Sequence, residues 1–325
     1  MRSFLLSMLT LTSLLAEAQS FAPEPGQEGS IAIHKDSSVF VGWANSIELY
    51  RGYADIAVPD SGMVDFGVAE NALGPAEGNT IDVVSLGDSG YAVLQFLSPI
   101  YDGPGPDFAV FENGFADHYL ELAFVEVSTD GIHFQRFPAT SEIPLDHQMG
   151  PFEYSNCAYV HNLAGKYRQG YGTPFDLAEL PDSDSVDRQQ INYIRIVDVI
   201  GSLDSVYASK DQHGNIINDP YPTLFPSGGF DLDAIGVIHQ KSAGLKEIHL
   251  KQSIWPNPFQ DLVHLDFPSG TSYQIYTLTG KLVHQGVIRT EKVLGLNFLL
   301  PGSYLFQVTW PSGRTESLHL TKKSH

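Results

Sequence analysis

The feature that most restricts this chain is strand-like alternation with almost no helical counterpart. Apolar and polar residues alternate in short runs at 39–43, 81–85, 91–97, 108–111, 120–128, 133–137, 191–200 and 234–239, with Gly, Pro, Asp or Asn between them. Period two sends successive side chains to opposite faces of a strand, whereas a helix would need an apolar stripe every three to four residues. The bulk of the chain is therefore predicted to be all-β, a sandwich of jelly-roll type. Thr129-Asp130-Gly131 falls between two of the runs and reads as a hairpin turn, because Asp-Gly tolerates positive φ. Three connections, 58–80, 139–190 and 201–231, exceed what a minimal sandwich requires, and long connections of this kind are usually functional or disordered. Tyr154, Tyr159, Tyr167, Tyr171, Phe175, Tyr221 and Phe225 lie in them, which predicts loops packed into an ordered surface.

The two ends read differently from the middle. Residues 1–18 place Arg2 before an apolar run from Phe4 to Leu15, with Ala16 and Ala18 flanking Glu17, the layout of a cleaved secretory signal peptide. That run falls short of the ~20 residues that span a bilayer, and no later segment is more apolar, so no transmembrane segment is expected in the mature chain. At the other end, Leu262 to Phe267, Tyr273 to Leu278 and Tyr304 to Trp310 alternate between Gly or Pro turns, enough for a small second β-sandwich over 253–325. The expected organisation is a signal peptide (1–18), a β-sandwich cargo domain (19–240), a short basic linker (241–252) and the C-terminal module (253–325).

Charge separates these parts. Residues 19–240 hold 32 Asp and Glu against 8 Lys and Arg, whereas residues 253–325 hold 4 against 6. A surface this acidic repels nucleic-acid phosphates and anionic lipid and favours cations, which excludes nucleic acid as a partner. Cys157 is the only cysteine, so no intrachain disulfide forms and stability must come from the core or a bound ion.

Several carboxylates alternate with core-type residues. Asp107 and Glu112 bracket the run 108–111, and the chain turns on Asn113. Glu126 alternates with Leu122 and Phe124, Asp198 with Ile194 and Ile196, and Asp231 and Asp233 share a face at the start of the last run. A carboxylate on the core side needs compensation. Hard oxygens gathered at strand ends suit Ca²⁺, so Asp107, Glu112, Asn113, Glu126, Asp198, Asp219, Asp231 and Asp233 form the expected structural calcium set. Asp211, Asn215 and Asn218, from the loop that carries Asp219, are further candidates. The competing reading has these acids cap backbone N–H groups and pair with Arg136 or Arg195. The histidines are scattered, without H-E-x-x-H spacing, and neither a G-x-S-x-G elbow nor a phosphate-binding glycine loop occurs. A glycosidase-like carboxylate pair needs two acids roughly 5 to 9 Å apart, which sequence spacing does not test.

Two resemblances add to this reading. Trp255-Pro256-Asn257-Pro258-Phe259, Tyr273-Gln274-Ile275-Tyr276, Gly280-Lys281 and Pro301-Gly302-Ser303-Tyr304 resemble the type IX secretion sorting domain of Bacteroidetes across residues 254–323, with Trp255 where Tyr is more usual. The resemblance implies recognition by the type IX machinery, passage across the outer membrane, and a secreted or surface-attached cargo. Phe108-Ala109-Val110-Phe111-Glu112-Asn113-Gly114, Phe124 to Gly131, Gly170-Tyr171-Gly172-Thr173-Pro174-Phe175 and Gly229-Phe230-Asp231-Leu232-Asp233 resemble uncharacterised bacterial exported domains with galactose-binding-like jelly rolls. The leading expectation is a non-catalytic binding module, with Tyr171, Phe175, Tyr221 and Phe225 offering flat apolar area to a glycan or other polar small molecule. The alternatives are a carboxylate-dependent hydrolase, a corrinoid-capturing surface protein of the kind the second resemblance suggests, or a purely structural or adhesion protein.

Overall fold

A computed structural model describes residues 21–241, 254–289, 292–310 and 315–324. The expected signal peptide and nearly all of the expected linker lie outside them. The chain divides into two compact units, Met1–Ala243 and Gly244–His325.

The first unit contributes β1 (Ile33–His34), β2 (Gly42–Trp43), β3 (Ser46–Tyr50), β4 (Val84–Ser85), β5 (Tyr91–Ile100), β6 (Phe108–Glu112) and β7 (Ala123–Ser128). It continues with β8 (Gln135–Arg136), β9 (Thr140–Ser141), β10 (Val160–His161), β11 (Leu163–Ala164), β12 (Tyr171–Phe175), β13 (Ile191–Asp198) and β14 (Asp231–Val237). Among the described residues the only helical elements are four short 3₁₀ turns. One large sheet runs β1-β12-β6-β14-β2, with β4 on the start of β14, a second runs β11-β7-β13-β5-β3, with β8 on β7, and β9 and β10 pair in a small sheet of their own. All of these pairings are antiparallel, so the unit is an all-β sandwich.

Phe108, Val110, Leu232, Ile235 and Val237 from one sheet meet Leu94, Val125, Val127, Ile194 and Ile196 from the other in the shared core. Every residue of β6, β7 and β14 is buried, not just alternate ones. The long connections explain this. Ile143, Met149, Cys157, Val160, Tyr167 and Ile217 pack on Leu122 and Phe124 behind β7, and Phe40 and Trp43 cover Phe111 and Ala234 behind β6 and β14. Strands covered on both faces lose the polar half of their alternation. Asp233 is the extra residue of a bulge, since Leu232 pairs with Glu112 and Ala234 with Phe111.

The second unit contains β15 (Ile254–Trp255), β16 (Leu262–Leu265), β17 (Ser272–Thr277), β18 (Leu282–Val287), β19 (Val293–Gly295), β20 (Gly302–Thr309) and β21 (Thr315–Lys322). They form sheets β15-β16-β19 and β18-β17-β20-β21 around Phe259, Tyr273, Ile275, Tyr304, Phe306 and Leu320. The motif residues hold this fold together. Asn257 donates to the His319 carbonyl at 2.7 Å and accepts from the Thr321 amide at 2.9 Å, pinning the first motif to β21. The Tyr304 hydroxyl donates to the Leu300 carbonyl at 2.7 Å, and buried Lys322 donates to the carbonyls of Leu296 and Asn297.

Candidate functional site

Strand register brings the ends of β6 and β13 and the starts of β7 and β14 to one end of the sandwich. Leu232 pairs with Glu112, Asp231 with Ser85, and Asp198 with Ala123. Glu112, Glu121, Asp198, Asp219 and Asp231 therefore lie together beneath the loops, all buried, with Asp88 beside them. The backbone closes tightly around these acids. Gly165 (φ +81°) passes so near that a Cβ would fall 1.8 Å from the Glu121 carbonyl, and at Gly229 (φ +72°) one would fall 2.6 Å from Asp198 Oδ1.

Three of the carboxylates are only half satisfied. Glu112 Oε2 accepts from the Gly114 amide at 2.7 Å, Asp198 Oδ1 from the Phe230 amide at 2.8 Å, and Asp219 Oδ2 from the Leu122 amide at 2.9 Å. Their other oxygens, Glu112 Oε1, Asp198 Oδ2 and Asp219 Oδ1, are buried without a hydrogen bond. The Ser89 amide eases the charge on Asp198 without closing a bond to that oxygen. Asp231 accepts from the Ser85 hydroxyl and from Asn113 Nδ2. The Glu121 carboxylate has no hydrogen-bond or ion-pair partner among the described residues, and what acts on it is burial followed by the charges of Asp231, Glu112, Asp219 and Asp198.

Burial is the largest influence throughout. It lifts Glu112, Glu121, Asp198 and Asp219 well above the usual carboxylate range, and repulsion between neighbouring carboxylates lifts them further. Asp88 and Asp231 are pushed up to about 6 by the same burial, with Arg51 drawing Asp231 back. No Lys or Arg is among the main influences on Glu112, Glu121, Asp198 or Asp219. The cluster therefore either holds protons or needs a cation from outside.

A cleft of about 260 Å³ opens onto this cluster. Glu121, Asp231 and Asn113 line it together with Phe66, Phe115, Tyr119, Phe152 and Phe225, and none of the described residues lining it is basic. Phe115 stacks on Tyr119 at 4.2 Å, Phe152 tilts against Phe225 at 5.6 Å, and the Tyr119 hydroxyl donates to the Pro151 carbonyl. A larger neighbouring cleft of about 520 Å³ is lined by His118, His147, Glu153, Tyr154 and Tyr159.

The residues picked from the sequence divide into groups. Glu112, Asn113, Asp198, Asp219 and Asp231 converge on the cluster. Glu126 does not: Arg136 and Arg195 clamp it, one on each carboxylate oxygen, which is the ion-pair alternative. Asp107 stands at the opposite end of β6, accepting from the amides of Gly103 and Leu177 and bonding His239. The bulge aims Asp233 at the amides of Glu77 and Gly78. Asp211 caps the amides of His213 and Asn215, and Asn218 stitches Pro144, His147 and Met149 together. Asp219 alone of that loop reaches the cluster.

Of the aromatic candidates, Phe225 lines the cleft. Tyr221 donates to Asp55 at 2.6 Å, and Tyr171 stacks under Arg168 at the start of β12, paired with His34. Phe175 corrects the expectation, because its ring is enclosed in the core against Phe108 and Phe137 and has no face left for a ligand. Glu121 and Asp88 were missed. Glu121 lies between Leu120 and Leu122 and so reads as a solvent-facing position, and Gly87-Asp88-Ser89-Gly90 reads as an ordinary turn. Among the described residues, three candidate ligand atoms approach within 4.8 Å only at Asp102, Asp107 and Asp176. There Asp107 and Asp176 already cap amides and Asp102 faces Arg188.

Residues 253–319 match the family described as secretion system C-terminal sorting domain. The second unit is a type IX sorting domain. Its match covers the buried Phe259, Tyr273, Ile275, Tyr304 and Phe306, so the motifs that mark the sorting domain are also its core. A sorting domain makes this an exported protein, secreted or attached to the cell surface, that engages the type IX machinery. Among the described residues no helix is long and apolar enough to cross a membrane. No curated protein matches the chain. One solved structure found to be similar, a biofilm associated protein BSP domain, is 8% identical at a TM-score of 0.16, over 88% of this chain and 53% of that one. The chain thus spans about half the length of that structure, and the likeness is too slight to bear on fold or function.

Proposed function

We propose that the sorting domain exports a non-catalytic ligand-binding module, and that its ligand enters the cleft beside Glu121. The observation that carries this reading is the pairing of an aromatic wall with an unpartnered, almost buried carboxylate at its floor. A buried polar group is costly unless something meets it. The cleft, at about 260 Å³, lies just under the ~300–1,000 Å³ of drug-sized sites, so it suits a sugar ring or a small head group better than a corrinoid. Strand order supports the finer reading of a jelly roll. β2-β14-β6-β12 faces β5-β13-β7-β11, and these eight strands in chain order change sheet at every step except β7 to β11. Titration of the mature protein with a panel of glycans and cobalamin, with and without chelator, tests the reading. Saturable binding lost in Phe225→Ala is expected; no binding under any condition overturns it.

Calcium is the second part of the proposal. The donors are hard oxygens, and Glu112, Asp198 and Asp219 each keep one free of hydrogen bonds, which fits a bound Ca²⁺. The carboxylates of the cluster do not approach in threes within 4.8 Å, so Asn113, backbone carbonyls and water would complete the ligand set. A cation bound by the folded state alone raises the melting temperature. A rise of several degrees on replacing EDTA with millimolar Ca²⁺ is expected, and identical melts would remove calcium from the proposal.

A second reading, a carboxylate-dependent hydrolase, draws on one observation. Glu121 and Asp231 face the same cleft with unequal upward shifts, Glu121 well above its usual range and Asp231 to about 6. Two carboxyls held apart in this way suit the division into an acid and a base that hydrolysis requires. Turnover of glycoside substrates that Glu121→Gln abolishes would favour hydrolysis; binding without turnover would dismiss it.

A further inference from the structure

We infer that the cleft beside Glu121 selects an organic cation, a compound carrying an alkylated or primary ammonium head group. This rests on the reading of the cleft as the ligand site and names the ligand's charge class. A neutral sugar would satisfy the aromatic wall and hydrogen-bond the floor, but it would leave the charge of that floor uncompensated. Asp231 spends its oxygens on Ser85 and Asn113, whereas Glu121, 7% exposed, spends neither of its oxygens and lines the cavity. An anion is opposed by both acids, with no Lys or Arg among the described residues lining the cleft to receive it.

The walls decide between a bare metal ion and an organic cation. Phe66, Phe115, Tyr119, Phe152 and Phe225 present ring faces and edges that offer a metal ion little coordination. They suit a cation sheathed in methyl or methylene groups, which gains from the ring quadrupole and from leaving water at once. Phe115, Phe152 and Phe225 are all more than 40% exposed, so a wall of large rings stands open rather than filled. A compact ammonium head group of the choline or short alkylamine kind reaches the Glu121 carboxylate and supplies a positive charge that none of the described residues lining the cleft provides.

Calorimetry on the intact mature chain in EDTA buffer tests the inference with choline, 1,5-diaminopentane and the uncharged choline isostere 3,3-dimethylbutan-1-ol. Saturable binding of at least one ammonium compound is expected, with the isostere weaker by about tenfold or more. Glu121→Gln should remove that preference, and Phe225→Ala should weaken all ligands alike. Equal affinity for choline and its isostere would overturn the charge class while leaving the cleft as a ligand site. Binding by neutral glycans alone, still sensitive to Phe225→Ala, would do the same. If neither the ammonium compounds nor the glycans bind, both the class and the cleft reading fall.

Discussion

Asp107 and Glu112 occupy opposite ends of β6, and both carboxylates are withdrawn from water, yet their surroundings differ in kind. Asp107 receives two backbone amides and His239, so each oxygen has a partner and the acid fastens the loops around Gly103 and Leu177. Glu112 receives the Gly114 amide on one oxygen, nothing on the other, and the charges of Asp231 and Asp219 nearby. The first end is a finished structural joint. The second is an end whose charge the fold does not balance, and it lies beside the open cleft. Burial alone therefore does not mark a functional carboxylate; burial with incomplete partnering does.

The largest effect expected from this contrast is in Asp107→Ala. It would leave the Gly103 and Leu177 amides short of an acceptor and should cost about 3 kcal/mol, seen as a lower urea midpoint with an unchanged slope. A loss under about 1 kcal/mol would mean that Asp107 is no joint, and the contrast would fail.

The pH dependence of stability comes next. Asp88, Asp231 and Asp233 have folded-state values of about 6, above the unfolded carboxylate value, so the folded state holds protons that the unfolded state releases. Their contribution is full below the unfolded value near pH 4 and is lost as pH rises through about 6. Glu179, held low first by its bond to His161, works in the opposite sense and loses its contribution in acid. In EDTA the cargo domain should melt roughly 5 °C higher at pH 5 than at pH 8. A higher melt at pH 8 would contradict the account of an unbalanced acidic end.

The smallest effect distinguishes the two ends most directly. Glu112→Gln keeps an acceptor for Gly114 and removes one of the crowded charges, so at pH 8 without metal it should leave stability unchanged or raise it by about 1 kcal/mol. A loss comparable to that of Asp107→Ala would show that Glu112 is a structural joint as well.

Sequence alone settled the β architecture, because period-two alternation leaves a chain few other ways to bury its apolar residues. It also settled the sorting domain, whose motif residues Asn257, Tyr273, Ile275 and Tyr304 are the ones that build its core and turns, so the signal is local. The acidity of the middle was legible too, and with it the strand-end carboxylates Glu112, Asp198 and Asp231. Which acids meet was decided only in three dimensions. Register and loop return bring Glu121 and Asp219 together from positions far apart in the chain, whereas Glu126, with the same alternation, meets two arginines. Alternation reports which face of a strand a residue takes, but its partner depends on what crosses over that face, and here long connections do the covering.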